Sequence, residues 1–115
     1  MNRITIWHNP RCSKSRASLT LLEENDVTPE QVMYLETPPN KDQITQILSY
    51  LNAKAIDIMR TKEPTFKTLN LSKDLDELVL IEAMVNNPIL IERPIVIAGN
   101  QAVIGRPPEN VLTLL

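Results

Sequence analysis

The only cysteine, Cys12, stands in the run His8-Asn9-Pro10-Arg11-Cys12-Ser13-Lys14-Ser15-Arg16, among polar and basic side chains. A thiol is a nucleophile as its thiolate, a form favoured by nearby cations and by the unpaired N–H groups at a helix start. Arg11, Lys14 and Arg16 are the cations. The helix start follows from pattern. Ile4-Thr5-Ile6-Trp7 alternates with the period of a strand, Asn9-Pro10 breaks it, and Ala17, Leu19, Leu21 and Leu22 repeat at helical spacing. Cys12 or Ser13 is then the cap, and the cysteine lies at a strand-to-helix turn. Basic residues at this end of the helix, with Glu23 and Glu24 at the other, cost about a few tenths of a kcal/mol per charge. Anion binding is a reason to accept that cost.

The spacing therefore predicts a thiolate near neutral pH, against the commoner role of a lone cysteine as a small buried hydrophobe. Two neighbours bear on the thiol. Ser15 either donates a hydrogen bond to the sulfur or serves as a cap or solvent contact. His8, four residues upstream and off the helix, either acts as a nearby cation or hydrogen-bonds the turn. A phosphatase loop, with arginine six residues after the cysteine, is excluded because that position is Ser18.

Composition narrows the chemistry further. With 115 residues, 43% of them hydrophobic, the chain is expected to form one domain, residues 1–115, with a core of its own. The net charge of −2 argues against nucleic acid or an anionic membrane as partner. No apolar run approaches a membrane span and the N-terminus lacks a signal-peptide layout, so a cytoplasmic location is expected. One cysteine and one histidine make neither a disulfide nor a zinc centre, so no metal is expected. A redox cycle through Cys12 must borrow its second thiol from another molecule.

The elements that must position Cys12 follow in order. After the first helix, which ends at Asn25-Asp26, Val32 to Leu35 reads as a second strand, parallel to the first through a right-handed crossover. Asn40 and Gln43 form a cap pattern before Ile44, Ile47, Leu48 and Leu51. Ala55 to Met59 suggests a short helix, and Glu63-Pro64 a break. Asp74 and Glu77 announce a helix carried by Leu78, Ile81, Met84 and Val85 until Asn86-Asn87-Pro88 stops it. Strand pattern returns at Ile95 to Ala98 and Gln101 to Ile104, joined by Gly99-Asn100 as a hairpin. Pro107-Pro108 then leads a final helix, Glu109 to Leu115. The order is that of an α/β thioredoxin-like (glutaredoxin-like) fold. It has a four-stranded mixed sheet and a helical insertion, about residues 41–86, between its βαβ and ββα halves.

Arg60, Arg93 and Arg106 sit at element junctions, and a guanidinium matches a tetrahedral oxyanion with a planar fork of donors. Singly, each also reads as a solvated surface charge. In a thioredoxin-like arrangement the residue before Pro94 faces the Cys12 turn, which singles out Arg93.

Five segments in this order resemble the glutaredoxin-linked arsenate reductases over essentially the whole length. They are the run from His8 to Arg16, Tyr34-Leu35-Glu36-Thr37-Pro38-Pro39, Met59-Arg60, the stretch Asn87-Pro88-Ile89-Leu90-Ile91 with Arg93-Pro94-Ile95-Val96, and Gly105-Arg106-Pro107. The resemblance implies Cys12 as nucleophile, His8 and Ser15 assisting its ionisation, and Arg60, Arg93 and Arg106 binding the oxyanion. It implies arsenate, glutathione and glutaredoxin as partners, and a monomer with no bound cofactor is expected. Cys12 would attack arsenate, glutathione would attack the adduct, and glutaredoxin would resolve the mixed species so that arsenite leaves. The single cysteine fits this branch, since thioredoxin-linked reductases pass a disulfide along several cysteines of their own. Two other expectations stay open. One is a generic glutathione-dependent thiol oxidoreductase or glutathione-binding protein. The other is a polymerase-binding redox regulator of the same fold, although its Cys-x-x-Cys switch is here Cys12-x-x-Ser15.

Overall fold

The structure, a computed structural model, describes residues 3–115. Its internal contacts divide the chain into two units, the residues up to Thr37 together with Arg93–Leu115, and Pro38–Glu92.

The first unit is built on strands β1 (Ile4–Trp7), β2 (Glu30–Val32), β3 (Ile95–Ala98) and β4 (Gln101–Ile104), with helix α1 (Ser13–Glu24). Their order in the sheet is β2-β1-β3-β4. β1 runs parallel to β2, with Thr5 opposite Glu30, and antiparallel to β3, with Trp7 opposite Ile95. β3 and β4 form the hairpin that Gly99-Asn100 announced, with Gly99 at φ 62°, a backbone conformation that glycine adopts without Cβ strain. Ile6, Leu22, Val96 and Val111 are fully buried together, so the core joins β1, α1, β3 and the C-terminal 3-10 segment Pro108–Leu114. Such a four-stranded mixed sheet with helices is the thioredoxin-like fold.

Two expectations shift here. The second strand is Glu30–Val32, not Val32 to Leu35, because β1 ends at Trp7 and pairs no further than Val32. Beyond it Glu36 and Thr37 both donate backbone N–H bonds to the Met33 carbonyl, which makes a turn of Met33–Thr37. The final helix is 3-10, not α, a form common in short terminal pieces. Helix α1 buries Ser15, Ser18 and Leu22.

In the second unit the cap pattern is realised as a full capping box. Gln43 N–H donates to Asn40 Oδ1 at 2.8 Å and Asn40 N–H to Gln43 Oε1 at 2.9 Å, and α2 runs Lys41–Leu51. Ile44, Ile47 and Leu48 are buried on α2; Leu80, Ile81 and Met84 are buried on α4 (Glu77–Asn86), against which it packs. Between them lie a 3-10 turn, Ala55–Ile58, and a helix missed by the sequence reading, α3 (Pro64–Thr68). Glu63-Pro64 starts α3 because a proline at the first helical position lacks only an N–H that would be unpaired anyway. Arg60 follows the Met59–Ile91 antiparallel bridge, and its N–H donates to the Leu90 carbonyl at 2.7 Å.

Gly105 is where the first unit is tightest. A Cβ there would collide with Ser18 Oγ on α1 and come within 2.8 Å of Pro94 Cγ, so the position has no room for a side chain. Gly105→Ala should destabilise the protein by about 1–3 kcal/mol, the usual cost of overpacking. A shift of the urea midpoint to lower concentration at unchanged slope is the expected result, and an unchanged midpoint would show that α1 and the Pro94 turn yield freely.

Candidate active site

The first unit assembles its chemistry where β1 ends. His8 N–H still pairs with the Val32 carbonyl at 2.9 Å, the chain then turns, and Cys12 N–H donates to the Asn9 carbonyl at 2.9 Å. Cys12 is the N-cap of α1 in extended backbone (φ −94°, ψ 124°), and its carbonyl accepts the first helical bond, from Arg16 N–H. A capping oxygen is thus replaced by sulfur. No cap hydrogen bond of regular geometry forms, but the N–H groups of Ser15 and Lys14 point at the sulfur.

The residue is 8% exposed and its thiol is free. Burial is the largest influence on it and pushes the thiol pKa up. Opposing burial are the Ser15 N–H, the charge of Arg93, the Lys14 N–H and a hydrogen bond from the Arg93 side chain. Together they hold the pKa below the usual thiol range. The first turn of α1 has no acidic residue to cancel them.

The Ser15 hydroxyl lies 2.7 Å from His8 Nδ1 and accepts the Asn9 N–H at 3.0 Å. Its single proton is either directed to Nδ1 or, when Nδ1 carries the ring proton, released for another acceptor. His8 is 4% exposed; burial first, and then the charge of Arg16, lower its pKa. Both influences favour the neutral ring over the cationic alternative, and the contact the ring makes is the hydrogen bond in the turn. Arg16 itself donates from Nη1 to the Pro10 carbonyl at 2.9 Å and ties the turn to the helix.

Arg93 and Arg106 flank the hairpin at its open end, where Ile95 opposes Ile104 and Gly105 N–H reaches the Pro94 carbonyl at 2.9 Å. Both arginines precede cis prolines, and Arg106 Nη1 lies 3.4 Å from the Arg93 carbonyl. Arg93 Nε and Nη1 are buried with no hydrogen-bond partner. Arg60 belongs to the other unit, where its guanidinium pairs with Glu63 at 3.0 Å. The sequence reading missed Ser18, whose hydroxyl approaches the Gly105 carbonyl at 3.4 Å; a polar residue on the inner face of a leucine-rich helix was the available signal. Among the described residues no cluster of three His, Cys, Asp or Glu side chains could hold a metal, and no helix is long and apolar enough to cross a membrane.

Fold and site together define a thioredoxin-like protein built around one thiol that caps a helix. Residues 7–114 match the ArsC family, and the chain belongs to that family. It is 46% identical to an arsenate reductase of Neisseria meningitidis, with all of both chains covered. It is 52% identical to the uncharacterized protein YfgD of Escherichia coli K12, over 98% of this chain and 97% of that one. The solved arsenate reductase from Vibrio cholerae superposes with a TM-score of 0.95 at 43% identity, covering 99% of this chain and 98% of that one.

Alkylation of Cys12 by iodoacetamide reads its thiolate fraction directly. The rate should rise with pH through a midpoint below that of a free thiol. Arg93→Ala removes two of the influences that lower the pKa, so its midpoint should move up and its rate at pH 7 fall. A midpoint unmoved by the substitution would leave the N–H groups of α1 as the whole cause.

Proposed function

We propose that this protein is an arsenate reductase acting through Cys12, with glutathione and glutaredoxin as electron donors and no bound cofactor. The observation that carries the reading is the pair of buried, unpartnered donors on Arg93 beside a stabilised thiolate. A buried donor left unsatisfied costs roughly 1–3 kcal/mol, so two such donors on one guanidinium are suited to receive oxyanion oxygens.

In the chemistry, the Cys12 sulfur bonds to arsenic and a hydroxyl leaves as water. Glutathione sulfur then bonds to the same arsenic and a second hydroxyl leaves. A glutaredoxin thiolate attacks the glutathione sulfur, the arsenic–sulfur bonding pair stays on arsenic, and As(V) becomes As(III). The departing product is the glutaredoxin–glutathione disulfide, and water frees arsenite and the Cys12 thiol. Arg93 holds the anion and offsets charge on its oxygens, and Arg106 adds positive charge at the same hairpin end. His8 and Ser15 position the turn and its proton. The family resemblance adds Arg60, whose share is read from its own substitution, and a cytoplasmic monomer acting as one domain.

Purified protein with arsenate, glutathione, glutaredoxin, glutathione reductase and NADPH should oxidise NADPH, and Cys12→Ser should abolish that turnover. Arg93→Ala should lower kcat/KM roughly 10²- to 10³-fold, as loss of a preorganised oxyanion donor does. Arg60→Ala should raise the KM for arsenate. If Cys12 alkylates rapidly at low pH but arsenate gives no turnover, the thiolate stands and the substrate assignment fails.

A further inference from the structure

A cleft of about 300 Å³ adjoins the turn that carries Cys12, and the steps above use little of it. His8, Asn9, Pro10 and Arg11 contribute one set of lining residues, and Met33, Leu35 and Glu36 the other. Both sides are held in place before any ligand arrives. Arg11 N–H donates to Asn9 Oδ1 at 3.0 Å and Arg16 fastens the Pro10 carbonyl, while the Met33 carbonyl accepts N–H bonds from Glu36 at 2.9 Å and Thr37 at 2.8 Å. A preformed cleft of this size is at the lower end of small-ligand sites.

Its lining chemistry is mixed in a particular way. Pro10, Met33 and a 40%-exposed Leu35 offer apolar surface, and the two charges are one guanidinium and one carboxylate, both exposed. Among the described residues neither Arg11 nor Glu36 is in an ion pair. Arsenate, all negative oxygen, is repelled by Glu36. A small peptide zwitterion matches: a carboxylate for the Arg11 fork, an ammonium for Glu36, and a peptide body for the apolar surface between.

We propose that this cleft is the binding site of glutathione, with Arg11 on a carboxylate, Glu36 on the α-ammonium, and the thiol directed past the turn toward the arsenic held by Cys12. The proposal rests on the glutathione-dependent reading above. Reach permits it, since a tripeptide extends to roughly 10 Å and Cys12 directly follows Arg11 in the turn.

The test is a titration of the ¹⁵N-labelled protein with S-methylglutathione, which binds without reacting at sulfur. Saturable shifts should cluster at the amides of Arg11, Met33, Leu35 and Glu36. Arg11→Gln and Glu36→Gln should each weaken binding by roughly 2- to 5-fold, the worth of a partly exposed charge pair. In the coupled assay both variants should raise the KM for glutathione by that factor, and Glu36→Gln should leave the KM for arsenate in place. Shifts that cluster at the Arg93 and Arg106 segments, or unchanged affinity in both variants, would overturn the site while turnover preserves the reductase reading. Cleft shifts that both substitutions weaken, in a protein without arsenate turnover, would retain the glutathione site and overturn that reading.

Discussion

Everything at the reactive end of this protein turns on a contest over one sulfur. Burial disfavours the thiolate more than any other single influence, yet the sum goes the other way because three donors converge on the atom. Two are backbone N–H groups of the first turn of α1, and the third is the Arg93 guanidinium. A low-dielectric setting makes each of these worth more than in water, so the same burial that opposes ionisation strengthens the forces that restore it. Site and helix are therefore one object, since the helix that Cys12 caps is the helix that stabilises its anion.

That arrangement constrains the rest of the first unit. α1 must begin where β1 ends, and Arg93 must arrive at the same place from far along the chain. β3 delivers it by pairing antiparallel to β1, with Trp7 opposite Ile95, two residues beyond Arg93. The approach is fixed sterically by Gly105, which leaves Ser18 and Pro94 in contact distance of its backbone. The two buried serines of α1 are explained by the same geometry. Ser15 meets His8 and Asn9, Ser18 meets Gly105, and hydrophobic side chains at those positions would leave the turn unanchored. Overall charge plays no part in this. A chain with net charge −2 holds its positive potential locally, in Arg11, Lys14, Arg16, Arg93 and Arg106.

Much of the framework was legible as sequence because it is local. The Ile4–Trp7 alternation, the Asn40–Gln43 capping box and the Gly99-Asn100 hairpin depend on residues within a few positions of one another, and each is found where its pattern puts it. The position of Cys12 at a strand-to-helix turn is of the same kind. Expectations went astray where the outcome depends on a distant partner. Val32 to Leu35 has strand character, but the length of β1 decides where pairing stops, and Pro64 opens a helix rather than only ending one.

The sequence by itself determined where the thiol is, which residue types surround it and the order of elements that carries it, since these follow from short-range periodicity and from backbone chemistry at Pro, Gly and Asn. Only the tertiary structure decided that burial lowers the His8 pKa, that Ser15 faces the ring, and that Arg93 reaches the sulfur with two donors to spare. Those facts depend on burial and on side-chain contacts, which for Arg93 cross some eighty residues of chain, and Coulomb and desolvation energies vary with ångström distances that no spacing in a sequence records.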